Sequence, residues 1–92
     1  MLRFTWDRDK DRENLSKHGV TFDEAKAVFG DPLQIDIDDP VHSQNEYRYI
    51  IIGESNQHQL LVVAYSEAEP ELIRIISARP ATPRERREYK NG

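Results

Sequence analysis

Phe4 and Trp6 alternate with Thr5, which predicts a short strand, and Asp7 is a good N-cap for the charged run Arg8 to His18 that follows. That run is helical by propensity more than by pattern, because Leu15 is its only large apolar residue and most of its surface must be wet. Gly19 supplies a left-handed cap, so the chain turns a tight corner there. A capping box, Thr21-Phe22-Asp23-Glu24, opens a second helix in which Phe22, Ala25, Val28 and Phe29 recur at helical spacing and are expected to pack on a sheet. Gly30-Asp31-Pro32 ends it.

The period then changes from helical to alternating. Leu33, Ile35 and Ile37 alternate with Gln34, Asp36 and Asp38, the signature of a strand wet on one face, and its acidic row suits an edge. A polar turn region from Asp38-Asp39-Pro40 through Asn45 precedes a more buried strand, Tyr47 to Ile52. Gly53 to His58 connects it to another inner strand, Gln59 to Tyr65, and Glu67 to Glu71 with Pro70 makes the next turn. Leu72 to Arg79 is a fourth long strand, broken by Pro80-Ala81. A second capping box, Thr82-Pro83-Arg84-Glu85, with proline at the first helical position, opens a C-terminal helix. The order β-α-α-β-β-β-β-α, with short links between successive strands, predicts an α+β fold: an antiparallel sheet with the two N-terminal helices on one face. No repeat or low-complexity segment interrupts it.

Composition narrows this picture. Ninety-two residues suffice for a single domain, 1–92, with one modest core and marginal stability, which a protein partner would raise. No cysteine is present, so neither a disulfide framework nor a thiolate zinc site is available. The start, Met1-Leu2-Arg3-Phe4-Thr5-Trp6-Asp7, lacks a signal-peptide core and no window has the length of a membrane span, so a soluble, cytoplasmic protein with no membrane partner is expected. The net charge of −4 argues against nonspecific coating of nucleic acid. Its distribution is more informative than its sum: from residue 72 onward Arg74, Arg79, Arg84, Arg86, Arg87 and Lys90 face only Glu85 and Glu88, a surplus of +4, which leaves −8 on the remainder. A basic patch on an acidic body can grip a short stretch of phosphate backbone.

Two arginines sit within apolar strands. If the last strand is regular, Ile73, Ile75, Ser77 and Arg79 share one face, and Leu72, Arg74, Ile76 and Ala78 the other. Arg48 shares a face with Ile50 and Ile52. A guanidinium so placed needs a carboxylate, a phosphate or a route to water. An internal ion pair is one solution, and a phosphate clamp is the other, since arginine offers planar bidentate donors. Arg74 and Arg79 can reach one phosphate only if a twist, a bulge near Ser77 or the strand's end brings Arg79 round. Lys17 and His18 close the first helix, either as dipole and carbonyl partners or, for His18, as a proton carrier beside a phosphate. Asp36, Asp38, Asp39, His42 and Glu46 match no metal-ligand loop, so no metal and no cofactor is expected. Gly-rich phosphate loops, serine elbows and His-Glu-x-x-His motifs are absent from the sequence. Tyr89 either packs on the sheet or stacks on a base.

Taken together, Phe4-Thr5-Trp6-Asp7, Asn14 with Lys17-His18-Gly19-Val20, Phe22 with Glu24-Ala25, Val28-Phe29, Asp31-Pro32, Glu46-Tyr47-Arg48, Gly53, Arg74-Ile75-Ile76-Ser77-Ala78-Arg79, and Glu85-Arg86 with Tyr89 resemble the BrnT family of bacterial toxins. The similarity runs from Phe4 to Tyr89, in the family's order, with Pro80 standing where the family commonly has a basic residue. The resemblance implies a RelE-like fold, a ribonuclease that arrests translation, and a BrnA-type antitoxin partner, with DNA engaged only indirectly through that antitoxin. A metal-independent ribonuclease can use the substrate's own 2′-hydroxyl, and then needs a base, an acid and cations on the phosphate. The expected catalytic set is Lys17, His18, Arg48, Arg74, Arg79 and Tyr89, with Arg84, Arg86, Arg87 and Tyr65 binding RNA. The alternative is a noncatalytic protein-binding module whose basic end docks an acidic partner.

Overall fold

The computed structural model describes residues 1–38 and 47–91. The elements run β1 (Arg3–Thr5), α1 (Arg8–His18), α2 (Phe22–Lys26) continued by a 3-10 turn (Ala27–Gly30), β2 (Ile35–Asp38), β3 (Arg48–Glu54), β4 (Leu60–Glu69), β5 (Leu72–Pro80) and α3 (Pro83–Asn91). The α+β class and the expected order of elements are borne out. Both expected helix starts form: Asp7 accepts from the amides of Asp9 and Lys10, and Thr21 accepts from that of Glu24. Gly19 is left-handed at φ 72°, as a helix-ending corner requires.

The strands form one five-stranded sheet in the order β1-β5-β4-β3-β2. The pairs β2–β3, β3–β4 and β4–β5 are antiparallel, but β1 lies parallel to β5, with Arg3 opposite Leu72 and Thr5 opposite Arg74. The expectation of a purely antiparallel sheet is therefore corrected at one edge. Successive strands reveal their hairpins through short loops, whereas β1 reaches β5 only after the helices and three other strands have intervened.

One face of the sheet is covered by α2 and the 3-10 turn. Phe22, Val20, Ala25 and Val28 are fully buried there against Ile51, Leu61, Val63, Ile73, Ile75 and Ala78. Phe29 packs edge-on against both Phe4 and Tyr65, with ring centroids 5.2 and 4.9 Å apart. Gly53 lets the 3-10 turn lie close on β3, since a Cβ there would stand 2.8 Å from Val28 Cγ1. Helix α1 is attached differently. Leu15 is 48% exposed, and the buried residue is Asn14, whose amide nitrogen donates to the carbonyls of Val20 (2.9 Å) and Ala78 (2.8 Å) while its oxygen accepts from Ala78 N (3.1 Å). Asn14 thus bonds the edge of β5 just beyond the short stretch that β1 covers. The other face carries a smaller cluster of Ile52, Leu60, Val62 and Ala81, with Ile50 and Tyr89 packed on it.

Candidate functional site

The geometry of β5 decides which arginines share a face. Tyr65 pairs with Ile75 and Ala64 with Ser77, so Ile76 is an extra residue that shifts the register by one. Below this bulge Ile73 and Ile75 enter the helix-covered core; above it Ala78 does so instead of Ser77 and Arg79. Cross-strand partners share a face. The rows Arg48–Ser66–Arg74, Ile50–Ala64–Ser77 and Ile52–Val62–Arg79 therefore all lie on the face away from α2. The bulge brings Arg79 round to the side of Arg74 and Arg48, where a regular strand would have opposed them.

These rows line two adjoining hollows. One, of about 220 Å³, is bounded by Arg48, Ile50, Val62, Ile76, Ser77 and Arg79. The other, of about 290 Å³, is bounded by Lys10, Glu13, Asn14, Lys17, His18, Arg48, Ile76 and Ser77. Arg48, Ile76 and Ser77 are common to both, making a continuous groove with cations at both sides. Each hollow is smaller than a typical drug-sized ligand pocket of roughly 300–1,000 Å³, and such a shallow groove suits an extended backbone better than an enclosed small molecule.

Asn14 is what sets the near wall. By bonding Ala78 it fixes α1 along β5 immediately after the bulge, which carries Lys17 and His18, both exposed, to the groove. Arg74 is exposed on the same face, beside Ser66; neither Arg48 nor Arg74 is without a partner. Ser66 is 1% exposed, and among the described residues its hydroxyl has no hydrogen-bond partner. Nothing in the sequence separates it from an ordinary strand serine; only its row, between two arginines, draws it into the site.

Arg79 is held by a two-point ion pair. Its Nη1 and Nη2 donate to Glu85 Oε1 and Oε2 at 2.7 and 2.8 Å, and Nη1 also reaches the Pro80 carbonyl at 3.3 Å. Glu85 belongs to the second capping box: Oε1 accepts from Thr82 N at 2.8 Å, and Glu85 N donates to Thr82 Oγ1 at 3.2 Å. The Arg79 guanidinium holds the Glu85 carboxyl down at about 2, and the same contact pushes Arg79 up.

The other expected residues are distributed unevenly. Tyr65, expected to touch substrate, is corrected to the covered face: it is 6% exposed, stacks on Tyr49, and donates its hydroxyl to Asp36 at 2.6 Å. Burial, then the Asp36 bond, pushes its phenol up. Tyr89 packs on the small cluster and donates to Asp31 Oδ2 at 2.6 Å, which pushes the phenol up to about 12 and commits its proton. Asp31 also receives the amides of Leu33 and Glu54; burial pushes its carboxyl up, but these bonds and that from Tyr89 outweigh it and hold it below its ordinary value. Arg84, Arg86 and Arg87 are exposed along α3, with Arg84 3.8 Å from Glu88. Of the acidic positions considered for metal, Asp39, His42 and Glu46 lie outside the described residues, and among the described residues no three metal-ligating side chains converge. No helix among the described residues is long and apolar enough to cross a membrane.

Comparison with known proteins bears on what such a groove does. A family model described as "Ribonuclease toxin, BrnT, of type II toxin-antitoxin system" matches residues 6–85. No curated protein matches the chain. Among solved structures, the chain is similar in fold to the crystal structure of the Brucella abortus ribonuclease toxin BrnT, with a TM-score of 0.65 and 24% sequence identity over 89% of this chain and 99% of that one.

Proposed function

The chain belongs to the BrnT family of type II toxin-antitoxin ribonuclease toxins, and from that premise we propose that it is a metal-independent endoribonuclease, of RelE-like kinship, working in the groove between α1 and Arg79. The observation that carries this reading is the bulge at Ile76, which sets Arg79 on the same face as Arg48 and Arg74, opposite Lys17 and His18. In this mechanism the arginines hold the scissile phosphodiester, and their charge stabilises the extra negative charge that develops as the substrate's 2′-oxygen attacks. One group near the phosphate takes the 2′-proton and another returns a proton to the leaving 5′-oxygen. His18 and Lys17 are the candidates, since both stand at the wall shared with Arg48. Tyr89 is the weakest member of the expected set, because its hydroxyl is already given to Asp31. Arg84, Arg86 and Arg87 extend a cationic surface along α3 on which the flanking strand can run.

A type II toxin implies an antitoxin protein as partner as well as an RNA target. We take that partner to be a BrnA-type antitoxin acting in the cytoplasm, with DNA contacted through the antitoxin alone. The test incubates the purified protein with RNA, with and without ribosomes, in excess chelator. Cleavage that persists in chelator, disappears in Arg79→Ala and is blocked by the adjacent-gene product supports the reading. Intact RNA under all these conditions, combined with tight binding to that product, supports the noncatalytic module instead.

A further inference from the structure

We propose that Glu85 is a positioning residue for Arg79: by gripping the guanidinium end-on, it leaves the adjacent Nε–Nη2 edge free as a bidentate donor for a phosphodiester in the groove. The inference rests on the ribonuclease reading above for the identity of the phosphate, though not for the geometry.

A guanidinium carries five N–H bonds in a rigid plane. Glu85 takes one proton from each terminal nitrogen, at 2.7 and 2.8 Å, and Nη1 also donates to the Pro80 carbonyl at 3.3 Å, which uses its second proton. The two protons left are those on Nε and the outer side of Nη2. They are neighbours on one edge and point the same way, the arrangement that matches two oxygens of a phosphate. Among the described residues no acceptor takes that edge, and Arg79 lines the groove with Arg48, Ile76 and Ser77.

The capping box alone does not require this contact. It uses only Oε1 of Glu85, for Thr82 N, whereas Oε2 is given to Arg79. Glu85 can hold a neighbour steady because it is itself held, by Thr82 at both ends of its backbone and side chain and by a proline at the first helical position. The far end of α3 is tied down by Tyr89 on Asp31. Helix α3 therefore acts as a splint on the site, and the arginine meets its ligand with its rotamer already fixed.

The decisive variant is Glu85→Gln in the full chain. Glutamine serves a capping box as glutamate does, but its amide nitrogen presents donors to Nη2 and cannot hold the fork. The helix should stay and Arg79 should swing loose. With a wild type that cleaves RNA, the expected result is kcat lower by about 10- to 100-fold with KM nearly unchanged, as a misplaced stabilising group gives. Thr21→Ala, which weakens the cap of α2 and leaves the Arg79–Glu85 pair and its supports untouched, should lower the melting temperature and keep kcat. Wild-type kcat in Glu85→Gln, or faster cleavage, would overturn the proposal by making Glu85 a mere cap or a competitor of the phosphate.

A second measurement stands apart from catalysis and from the folding of any variant. The Arg79 Nε–H resonance of the wild-type protein, followed by ¹⁵N NMR, should shift on titration with inorganic phosphate, and a resonance that ignores phosphate sinks the idea. If the resonance shifts while the wild type leaves RNA intact, the free edge of Arg79 stands as a phosphate donor and the ribonuclease reading is what fails.

Discussion

The two faces of the sheet are built from the same strands and solve opposite problems. On the covered face, side chains from α2 and the 3-10 turn meet Ile51, Leu61, Val63 and Ile75 with almost no solvent contact, and aromatic rings lock edge to face. On the open face a modest cluster at one end gives way to a groove lined by Arg48, Arg79 and the polar end of α1. Apolar burial contributes roughly 25 cal/mol per Å², so the covered face must supply most of the stability that the charged face forgoes. The division also localises the chemistry: substitutions on one face should unfold the molecule, and those on the other should disable it.

The largest expected effect tests the first half of that division. Phe22 is fully buried and meets Trp6 edge-on at 6.1 Å, so Phe22→Ala should cost about 3–5 kcal/mol in urea unfolding, a large share of the stability of so small a domain. A loss below about 1 kcal/mol would mean the covered face is not the source of stability. Arg79→Ala tests the other half. Removing one preorganised donor to a developing oxyanion costs about 100- to 1,000-fold in rate, so kcat/KM on RNA should fall by that factor while the folded protein persists. Should Arg79→Ala unfold the chain and leave residual folded molecules fully active, the assignment of roles to the two faces is reversed.

Asn14 belongs to both halves. Asn14→Ala leaves the carbonyl and amide of Ala78 and the carbonyl of Val20 without their partner, and the expected loss is about 2–3 kcal/mol. Because Asn14 also sets α1 beside the groove, cleavage should fall even where the protein is folded, and a normal kcat in the folded fraction would show that Lys17 and His18 need no such placement. Acid should produce a smaller effect. The Glu85 carboxyl is held near 2 in the folded protein, below its ordinary 4.5. Its contribution is therefore complete above pH ~4.5 and fades as pH falls through ~2; discounted for solvent screening it amounts to about 1–2 kcal/mol. Glu85→Gln should thus be less stable than wild type at pH 6, with the gap closing toward pH 2. A gap that does not change with pH would mean that the Arg79–Glu85 contact contributes nothing through charge.

What was legible in the sequence follows the range of the interactions. Both N-terminal caps, the Gly19 corner, the acidic edge strand and the capping box at Thr82 are local, and each forms where the residues predict it. The parallel pairing of β1 with β5 and the bulge at Ile76 depend on partners far along the chain, and no local pattern encodes a one-residue offset against β4. Alternation alone therefore put Arg79 on the wrong face and left Ser66 unnoticed. Tyr65 misled for the same reason, since a strand tyrosine declares neither its face nor its Asp36 partner.

The smallest expected effect is the one that best separates pattern from packing in α1. By periodicity Leu15 is the helix's only large apolar anchor, yet it is 48% exposed, while its neighbour Asn14 is 6% exposed and bonds both the carbonyl and the amide of Ala78 on β5. Leu15→Gln should therefore change the unfolding free energy by less than about 0.5 kcal/mol, as for a surface position without special contacts. The adjacent Asn14→Ala should cost several times more. A hydrophobic anchor would produce the reverse ranking, because half-buried leucine would then carry the transfer energy that holds α1 to the sheet. Urea unfolding of the two variants side by side decides whether the wall of the groove is held by apolar contact or, as the bonds of Asn14 require, by a side-chain amide that substitutes for a missing strand.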